Sequence, residues 1–400
     1  MAYRSEAPPM RWVTIGLMSG TSLDGIDAAC CTVDVPNGEL EEASMTVETA
    51  MTHSYADARS RYLEQLCTGH PSTAELARAD VALGQTFGRA VTSLCDRRGP
   101  DAPPIDVIGS HGQTIVHVPD RECLPGGLGP VRSTWQLGDG AMIAAETGID
   151  VVADVRRADI AAGGEGAPLS PLLDWIQFGD QDEHRIVQNI GGIANCSVLP
   201  AGCARESIRA FDTGPGNMVI DAVVRSVPVG DRRYDVDGSM ASAGTVDEKL
   251  LASLLADTYF HRSPPKSTGR GDFGPAYADQ LLTAARERGA GDCDVVATAT
   301  ALTAASIAHA YTDHVSVDPD RVVLFGGGAE NDTLVTMLRD RIDCPVETAR
   351  AYNIDPAMRE AALLALLAVC HEAGIPGNLP AVTGADRAVV LGKRSPVPPQ

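Results

Sequence analysis

The chain has 400 residues, 44% of them hydrophobic and 21% charged, and its formal net charge at pH 7 is −21. This length exceeds what one hydrophobic core usually supports, so we expect two folded lobes. The strong negative charge argues against nucleic acid and anionic membrane as partners, because binding to either needs a basic patch.

Lysine is rare in this chain, and cysteine is scattered along it. The lysines are Lys249, Lys266 and Lys393. An acidic, lysine-poor surface is typical of a protein that stays soluble in high salt, although a GC-rich genome would also replace lysine with arginine. The cysteines lack Cys-x-x-Cys spacing, which favours buried thiols over a disulfide framework or a zinc site. Without an N-terminal apolar segment or a run of ~18 apolar residues, the sequence predicts a cytoplasmic protein.

The first half of the chain predicts strands that end in glycine-rich or polar turns. Residues 11–17 are a predicted strand and residues 26–35 its return, with Ser-Gly and Asp-Gly turn signals between them. Apolar residues at helical spacing predict a helix within 74–97. Short buried strands are predicted at 105–109 and 150–153, each followed by a polar loop.

The second half repeats this scheme, and the alternation of strands and helices predicts an α/β architecture. In such folds the site lies outside the carboxyl ends of the strands. The predicted elements are strands at 186–188, 208–211 and 322–325 and helices at 245–258, 276–288, 295–315 and 356–373.

The turn after the first strand has the Gly-x4-Gly spacing of a P-loop, from Gly20 to Gly25. Ile26 stands where a P-loop has its lysine, so a Walker A motif is excluded. What remains is a hairpin turn whose N–H groups could wrap phosphates. A plain hairpin turn explains the same glycines equally well.

Polar side chains add to this first turn. Thr21 and Ser22 supply hydroxyls, and Asp24 and Asp27 supply carboxylates. An aspartate beside bound phosphates can hold Mg²⁺ directly or through water. The sequence therefore offers Asp24 and Asp27 as candidate metal ligands.

Asp212 lies at the end of a predicted apolar strand, before the loop Thr213-Gly-Pro-Gly216. A partly desolvated carboxylate in such a loop acquires a raised pKa, which suits a general base. The alternative is an aspartate that caps a helix or forms an Asx turn. The glycines 326–328 would let the main chain pass close to an adenine or ribose, or form a tight strand-to-helix turn.

At this point a series of motifs resembles the anhydro-N-acetylmuramic acid kinases, within the sugar kinase, Hsp70 and actin superfamily. The motifs run in order along most of the chain. They are GLMSGTSLDGIDAA (16–29), GSHGQT (109–114), QLGD (136–139), TGIDVVAD (147–154), AGGEGAPL (162–169), NIGGIAN (189–195), FDTGPGN (211–217), PKSTGR (265–270), FGGGAEN (325–331) and PGNLPAVTG (376–384).

The resemblance implies an α/β fold with two actin-like (ribonuclease H-like) lobes and a nucleotide/sugar cleft between them. It places residues 1–155 and 372–400 in lobe I, with the phosphate loop and the sugar side. Residues 156–371 would form lobe II, with the general base and the nucleotide side.

The resemblance also implies the reaction. Water opens 1,6-anhydro-N-acetylmuramic acid, and ATP with Mg²⁺ phosphorylates it on O6 to N-acetylmuramic acid 6-phosphate, in recycling or scavenging of cell-wall sugar. Asp212 would be the base that activates water and Glu360 a second, water-orienting carboxylate. The implied ATP-binding residues are Gly20, Thr21, Ser22, Leu23, Asp24, Gly25, Ile26, Asp27, Gly214, Gly216, Asn217, Gly326, Gly327 and Gly328.

On the sugar side the resemblance implies His111, Gln113 and Arg156, with a neutral hydrogen-bonding role for His111. Arg156 offers a bidentate fork for the lactyl carboxylate of the sugar, or else forms a structural ion pair. Glu165 departs from the glutamine that the family commonly has, which removes two donors and adds a negative charge. The sequence around Glu360 departs as well.

The sequence also allows two other functions. One is an actin-fold kinase for a different sugar or polyol. Another is a nucleotide-switched binding protein of the Hsp70 or actin type, for which the sequence offers no appended peptide-binding segment. The expected partners are a small-molecule sugar and ATP, and a homodimer is suggested by the resemblance alone.

Overall fold

The computed structural model describes residues 11–397 except residues 21, 228–231 and 353. Contacts divide the chain into two compact units, one formed by the chain up to Gln177 together with the chain from Ala357 onward, the other by Phe178–Pro356. The expected boundaries at 156 and 372 fall inside segments that the contacts assign to the first unit. The functional roles given to the two lobes stay predictions.

The first unit consists of a sheet with flanking helices. Its strands are β1 (Arg11–Ser19), β2 (Gly25–Asp34), β3 (Ser44–Ser54), β4 (Val107–Leu124), β5 (Leu128–Leu137), β6 (Val151–Ala153) and, from the end of the chain, β12 (Lys393–Ser395). Its helices are α1 (Asp57–Thr68), α2 (Thr73–Arg98), α3 (Gly140–Thr147), α4 (Arg157–Ala161), α5 (Ser170–Phe178), of which Phe178 is counted with the second unit, α13 (Arg359–Ala373) and α14 (Pro380–Thr383).

The sheet of the first unit has the order β12-β6-β4-β1-β2-β3, with β5 paired to β4. Strands β1, β2 and β3 form an antiparallel meander. Strand β4 is parallel to β1, and β6 is parallel to β4. The carboxyl ends of β1 and β4 therefore lie side by side, which brings the first turn close to the motif in β4.

The second unit contains the other sheet. Its strands are β7 (Arg185–Ile190), β8 (Ile193–Leu199), β9 (Arg209–Pro215), β10 (Arg321–Phe325) and β11 (Val346–Thr348). Its helices are α6 (Asn217–Ser226), α7 (Ser239–Ala243), α8 (Glu248–Leu255), α9 (Arg270–Phe273), α10 (Pro275–Glu287), α11 (Asp292–His314) and α12 (Asp332–Arg339).

This second sheet repeats the topology of the first. Its order is β11-β10-β7-β8-β9. Strands β7, β8 and β9 are antiparallel, and β10 and β11 are added in parallel beside β7. Three antiparallel strands followed by two parallel ones is the arrangement of a ribonuclease H-like fold. The predicted α/β class and the ribonuclease H-like lobes are confirmed.

Helix α11 is the central core helix of the second unit. It is long and apolar enough to cross a membrane by length and composition, but 78% of its apolar window is buried inside the protein. It packs against α6, α7, α8 and β9. Its apolar character therefore serves the core of this unit.

One predicted loop is wrong. The residues after Gly109 were expected to leave the sheet, but β4 continues to Leu124 and pairs with β5 through several register shifts. Gly112, with φ of +76°, lies within this stretch. The hairpin partner β5 supplies hydrogen bonds that keep the segment extended, and that pairing is not visible in the local sequence pattern.

Candidate functional site

The turn between β1 and β2 carries most of the residues predicted to bind phosphate. The Ser22 hydroxyl donates a 2.7 Å hydrogen bond to the Asp24 carboxylate, and both side chains are exposed. Leu23 has φ of +56°, and its N–H donates to the Gly20 carbonyl at 3.4 Å. Thr21 lies outside the described residues. The turn therefore presents a hydroxyl and a carboxylate to solvent.

The rest of this predicted set belongs to strand β2. The Ile26 side chain is fully buried in the core, so only its main chain could meet a ligand. Asp27 is half-buried and accepts a 2.6 Å hydrogen bond from the Thr52 hydroxyl on β3. Asp27 is therefore held by its neighbouring strand, in contrast to the exposed Asp24.

Gln113 lies beneath the turn. Its side chain is buried and accepts a 2.7 Å hydrogen bond from the Ser19 hydroxyl. Its amide nitrogen donates to the Gly20 carbonyl at 3.3 Å. The structure thus places Gln113 as a support for the turn between β1 and β2, a position that the sequence prediction of a sugar contact did not anticipate.

His111 and Arg156 form a hydrogen-bonded pair. The Arg156 Nε–H donates to His111 Nε2 at 2.9 Å, which places the imidazole proton on Nδ1, facing the Gly112 carbonyl at 3.0 Å. Burial, reinforced by the Arg156 charge, lowers the pKa of His111 to about 3. Arg156 also donates to the Gly166 carbonyl at 2.8 Å. His111 is therefore neutral.

Glu360 lies in the first turn of α13, which rests directly on the sheet. A Cβ at Gly16 on β1 would lie 1.7 Å from the Ala361 carbonyl oxygen, and one at Gly109 on β4 would lie 1.9 Å from that of Leu364. Only glycine allows this approach. The close packing of α13 brings Glu360 to the sheet that bears the turn between β1 and β2.

The surroundings of Glu360 favour its protonated form. Solvent reaches the side chain, but the surrounding protein limits its hydration and raises the pKa of this carboxyl. Arg156 and Arg359 oppose the shift, whereas Asp27 adds to it. Arg359 is itself paired with the buried Asp174. The first unit therefore brings Glu360, Asp27 and Arg156 into one electrostatic cluster.

Asp212 lies inside strand β9 of the second unit, opposite Asn195 of β8. The sequence prediction that this strand ends at residue 211 and a loop follows is wrong, because pairing with β8 extends β9 to Pro215. Its carboxylate accepts a 2.9 Å hydrogen bond from the Thr268 N–H. Its own N–H donates to the Lys266 carbonyl at 3.1 Å, and its carbonyl accepts a 2.8 Å bond from the Tyr259 hydroxyl. Burial raises the pKa of Asp212 to about 6, against the lowering effects of the Thr268 N–H and the Lys266 charge. This is the pKa of a base that works near neutrality.

The glycines that follow Asp212 are required by packing. Gly214 has φ of +146°, and a Cβ there would lie 2.9 Å from Phe260. A Cβ at Gly216 would lie 2.2 Å from the Gly191 carbonyl oxygen. The next residue, Asn217, donates its N–H to that same carbonyl at 2.7 Å. Gly214, inside β9, is thus packed against Phe260, whereas Gly216 and Asn217 at the start of α6 are packed onto the β7–β8 hairpin.

The triple glycine after β10 packs onto the same hairpin. A Cβ at Gly326 would lie 2.6 Å from the Ile190 carbonyl oxygen, and one at Gly328 would lie 2.3 Å from the Ile190 side chain. Gly327 is less constrained, since its nearest neighbour would be the Asn217 amide nitrogen at 3.4 Å. Gly326 and Gly328 therefore make a tight strand-to-helix turn, while Gly327 stays available to a ligand.

A cavity of about 360 Å³ opens beside Gly327 in the second unit. Its volume is in the range of small-molecule sites. Burial raises the pKa of Asp221 in its wall to about 6, with Arg225 opposing the shift. The lining residues are Asn217, Ile220, Asp221, Tyr234, Asp235, Val236, Asp237, Gly327, Glu330 and Asn331.

Comparison with known proteins identifies the family. The sequence profile of "Anhydro-N-acetylmuramic acid kinase" matches residues 12–397. The chain belongs to the anhydro-N-acetylmuramic acid kinase family. It is similar to the anhydro-N-acetylmuramic acid kinases of Salinibacter ruber, at 44% identity over 96% of both chains, and of Caldanaerobacter subterraneus subsp. tengcongensis, at 41% identity over 96% of both chains.

Among solved structures, the chain resembles more distant proteins. One is the activator of the 2-hydroxyisocaproyl-CoA dehydratase from Clostridium difficile, with 15% identity, a TM-score of 0.43 and coverage of 90% of this chain and 95% of that one. Another is a ROK family glucokinase from Streptomyces griseus, with 15% identity, a TM-score of 0.36 and coverage of 89% and 99%.

Within this anhydro-N-acetylmuramic acid kinase family member, Glu165 forms a surface ion pair. Its carboxylate lies 3.6 Å from Arg132 Nη2, and its N–H donates to the Thr383 carbonyl at 2.9 Å. The neighbouring loop is instead ordered by Asp159, which is fully buried and accepts from the Gly166 N–H at 2.8 Å. The departure at position 165 is thus compensated by an arginine on the same unit.

The sequence prediction missed several residues of this family member's candidate site. Asp221 and Tyr234 line the cavity but lie outside the motifs, and their only signal is position on or after an amphipathic helix. Glu330 lies in the FGGGAEN motif (325–331), in which the prediction used only the glycines. Lys266 lies in the PKSTGR motif, and its role required the three-dimensional contacts described below.

Proposed function

We propose that this protein is an ATP-dependent kinase that hydrolytically opens 1,6-anhydro-N-acetylmuramic acid and phosphorylates it to N-acetylmuramic acid 6-phosphate, in recycling or scavenging of cell-wall sugar. Membership of the anhydro-N-acetylmuramic acid kinase family supports this sugar as the substrate. The observation that carries the chemistry is the Asp212 carboxyl, whose pKa is raised by burial to about 6. Such a group is ionised at neutral pH and accepts a proton readily.

The bond changes balance without any further reactant. The oxygen of water bonds to the anomeric carbon while its proton passes to Asp212. The bond between the anomeric carbon and the bridging oxygen O6 breaks. That oxygen then bonds to the γ-phosphorus of ATP, and the bond from this phosphorus to the bridging oxygen of ADP breaks. Positioning of water, sugar and ATP supplies most of the catalysis in such a reaction.

The first unit offers groups for the sugar and the water. We assign Glu360 to orientation of the attacking water, a role that its accessible carboxyl permits. Neutral His111 holds Arg156 by a 2.9 Å hydrogen bond, and the guanidinium suits the lactyl carboxylate of the sugar. Gln113 contributes by holding the Gly20 carbonyl of the phosphate turn.

The nucleotide is assigned to two places. The N–H groups of the turn from Gly20 to Asp27 suit the phosphates, and the cavity beside Asn217 and Gly327 suits the nucleoside. Asp24 and Asp27 fit a Mg²⁺ ion that keeps most of its water, since such an ion needs only one or two carboxylates besides phosphate oxygens. When bound, Mg²⁺ would neutralise charge on the β- and γ-phosphates. Among the described residues, no group of three or more His, Cys, Asp or Glu side chains forms a metal cluster.

The cellular setting is part of the same proposal. We place the protein in the cytoplasm, as a homodimer whose partners are the sugar and ATP, without nucleic acid or membrane. Light scattering after size-exclusion chromatography tests the dimer: a mass near 41.8 kDa would contradict it.

A turnover assay in ¹⁸O-water tests the reaction. The protein is mixed with Mg·ATP and 1,6-anhydro-N-acetylmuramic acid at low and high KCl, and products are read by mass spectrometry. We expect a 6-phosphate with one ¹⁸O at the anomeric position. ATP binding without this product at any salt would contradict the substrate and favour an actin-fold kinase for a different sugar or polyol.

A further inference from the structure

Lys266 is a buried cation in the second unit. Its side chain is 9% exposed, and its ammonium group donates a 3.2 Å hydrogen bond to the Phe260 carbonyl. The same nitrogen lies 4.9 Å from the ring centroid of Tyr259 and 6.0 Å from that of Phe211. Burying an ammonium group is costly, and aromatic faces offset part of that cost. Lysine therefore occupies a position where burial of an apolar side chain would cost less free energy.

The groups that surround this ammonium are also bound to Asp212. The Lys266 carbonyl accepts the Asp212 N–H at 3.1 Å, and the Tyr259 hydroxyl donates to the Asp212 carbonyl at 2.8 Å. Phe211 directly precedes Asp212 on β9. The lysine is thus joined to Asp212 through its main chain and through both rings that its ammonium contacts.

Titratable groups from several elements face this pair. His314 of α11 lies with its Nε2 3.4 Å from the Phe260 carbonyl oxygen that also accepts from Lys266. Burial raises the pKa values of Cys196 and Tyr259 far above neutrality, so both remain uncharged. Burial lowers the pKa of Lys266, and Asp212 and Asp313 oppose that change while Arg262 adds to it.

On the other side of Asp212, the Thr268 N–H donates to its carboxylate, and the Thr268 hydroxyl donates to Asp272 at 2.7 Å. Asp272 and Asp212 are thus both hydrogen-bonded to Thr268. Lys266 and the partly buried Asp212 carboxyl act on each other's pKa, since each favours the charged form of the other.

We propose that Lys266 is a positioning residue for Asp212: its main-chain carbonyl holds the Asp212 N–H, its buried ammonium lies against the Phe211 and Tyr259 rings that adjoin Asp212, and its positive charge favours the carboxylate form. This inference rests on the proposed role of Asp212 as the base. It assigns the side chain of Lys266 an electrostatic role that packing of its methylene groups alone would not provide.

The test is the pH profile of kcat for Lys266→Met, measured on the full chain with Mg·ATP and the anhydrosugar. Removal of the ammonium raises the pKa of Asp212, so we expect the acidic limb of kcat to move up by about one pH unit. Below this limb kcat is then about tenfold lower than in the unaltered protein, and on the alkaline plateau the two agree within about twofold. KM for ATP stays unchanged.

The chain offers matched controls. Lys249→Met removes the same charge from an exposed position on α8 and leaves the acidic limb in place. Lys266→Arg keeps a positive charge, so its acidic limb of kcat should lie close to the pH of the unaltered protein. If Lys266→Met does not fold, Lys266→Gln carries the same test, because its amide can still donate to the Phe260 carbonyl.

Two results would overturn the proposal. One is an unmoved acidic limb in the uncharged variants, and the other is a loss of kcat that is equal at every pH. A separate variant tests whether Asp212 is the base. If Asp212→Asn retains turnover with the acidic limb intact, the limb does not belong to Asp212, and both assignments fall.

Discussion

Asp212 and Glu360 are carboxyl groups whose pKa values are raised by their surroundings, and the surroundings differ. Asp212 is held by the Thr268 N–H and lies near the Lys266 charge, whereas Glu360 lies among two arginines and Asp27. In both cases burial or limited hydration is the largest cause. An aspartate exposed to solvent would titrate far below neutrality. The local protein environment therefore sets the pKa of each of these carboxyl groups.

The substitution Asp212→Asn should reduce kcat by about 10² to 10⁴-fold while leaving ATP affinity unchanged, because it removes the proton acceptor and little volume. In the unaltered protein kcat should fall as the pH drops through about 6, since the carboxylate is then protonated. Steady-state kinetics measures kcat and its pH dependence, and direct titration measures ATP affinity. A variant that keeps most of its turnover would contradict the assignment.

Stability provides the control for this variant. The pKa of Asp212 is raised from 3.8 to about 6 in the folded protein, so its contribution to stability is full below pH 3.8 and is lost as the pH rises through about 6. An asparagine does not ionise. The thermal midpoint of Asp212→Asn on the alkaline side of pH 6 should therefore equal or exceed that of the unaltered protein.

At the scale of elements, α13 decides where Glu360 lies. The helix is packed onto β1, β2 and β4 of the first sheet, and its close approach depends on Gly16 and Gly109. The sequence predicted a helix at 356–373, close to the observed α13, and the family resemblance, not the periodicity, placed that helix in lobe II. The reason is that periodicity shows that a helix has an apolar face without showing which sheet covers it.

Gly16→Ala should destabilise the protein by about 1–3 kcal/mol or more, because the added methyl group would collide with the Ala361 carbonyl and push α13 off the sheet. Displacement of Glu360 should lower kcat in the fraction that remains folded. Chemical denaturation measures the first effect.

Gly271→Ala is the matched control for this change. Position 271 lies in the short helix α9 with open space around it, so a methyl group there should be neutral or slightly stabilising. Equal stability of the two alanine variants would show that α13 does not need the close contact at Gly16.

At the scale of the whole molecule, the net charge of −21 is the dominant feature. Like charges spread over one chain repel in the folded state, and the repulsion weakens as salt shortens the Debye length from about 10 Å at about 0.1 M to about 3 Å at about 1 M. The surface ion pairs contribute little to the free energy of folding at either salt concentration.

We therefore expect the thermal midpoint to rise as KCl is increased from about 0.1 M to about 1 M. Differential scanning calorimetry measures the midpoint, with sucrose at equal osmolarity as a control for general solute exclusion. A midpoint that falls with KCl, or that rises equally in sucrose, would show that charge repulsion is not what limits stability.

The sequence by itself determined the alternation of strands and helices and the family, because these depend on residues close together in the chain. It placed Asp212 just after a strand, whereas β9 continues through Asp212 to Pro215. Only the tertiary structure decided that Gln113 supports the Gly20 turn, that Lys266 adjoins Asp212, and that Glu360 belongs with Asp27. Each of these pairings joins residues far apart in sequence, across strand order and helix packing that no local pattern encodes. Side-chain chemistry is local, whereas the pKa and orientation of each group follow from what the fold brings beside it.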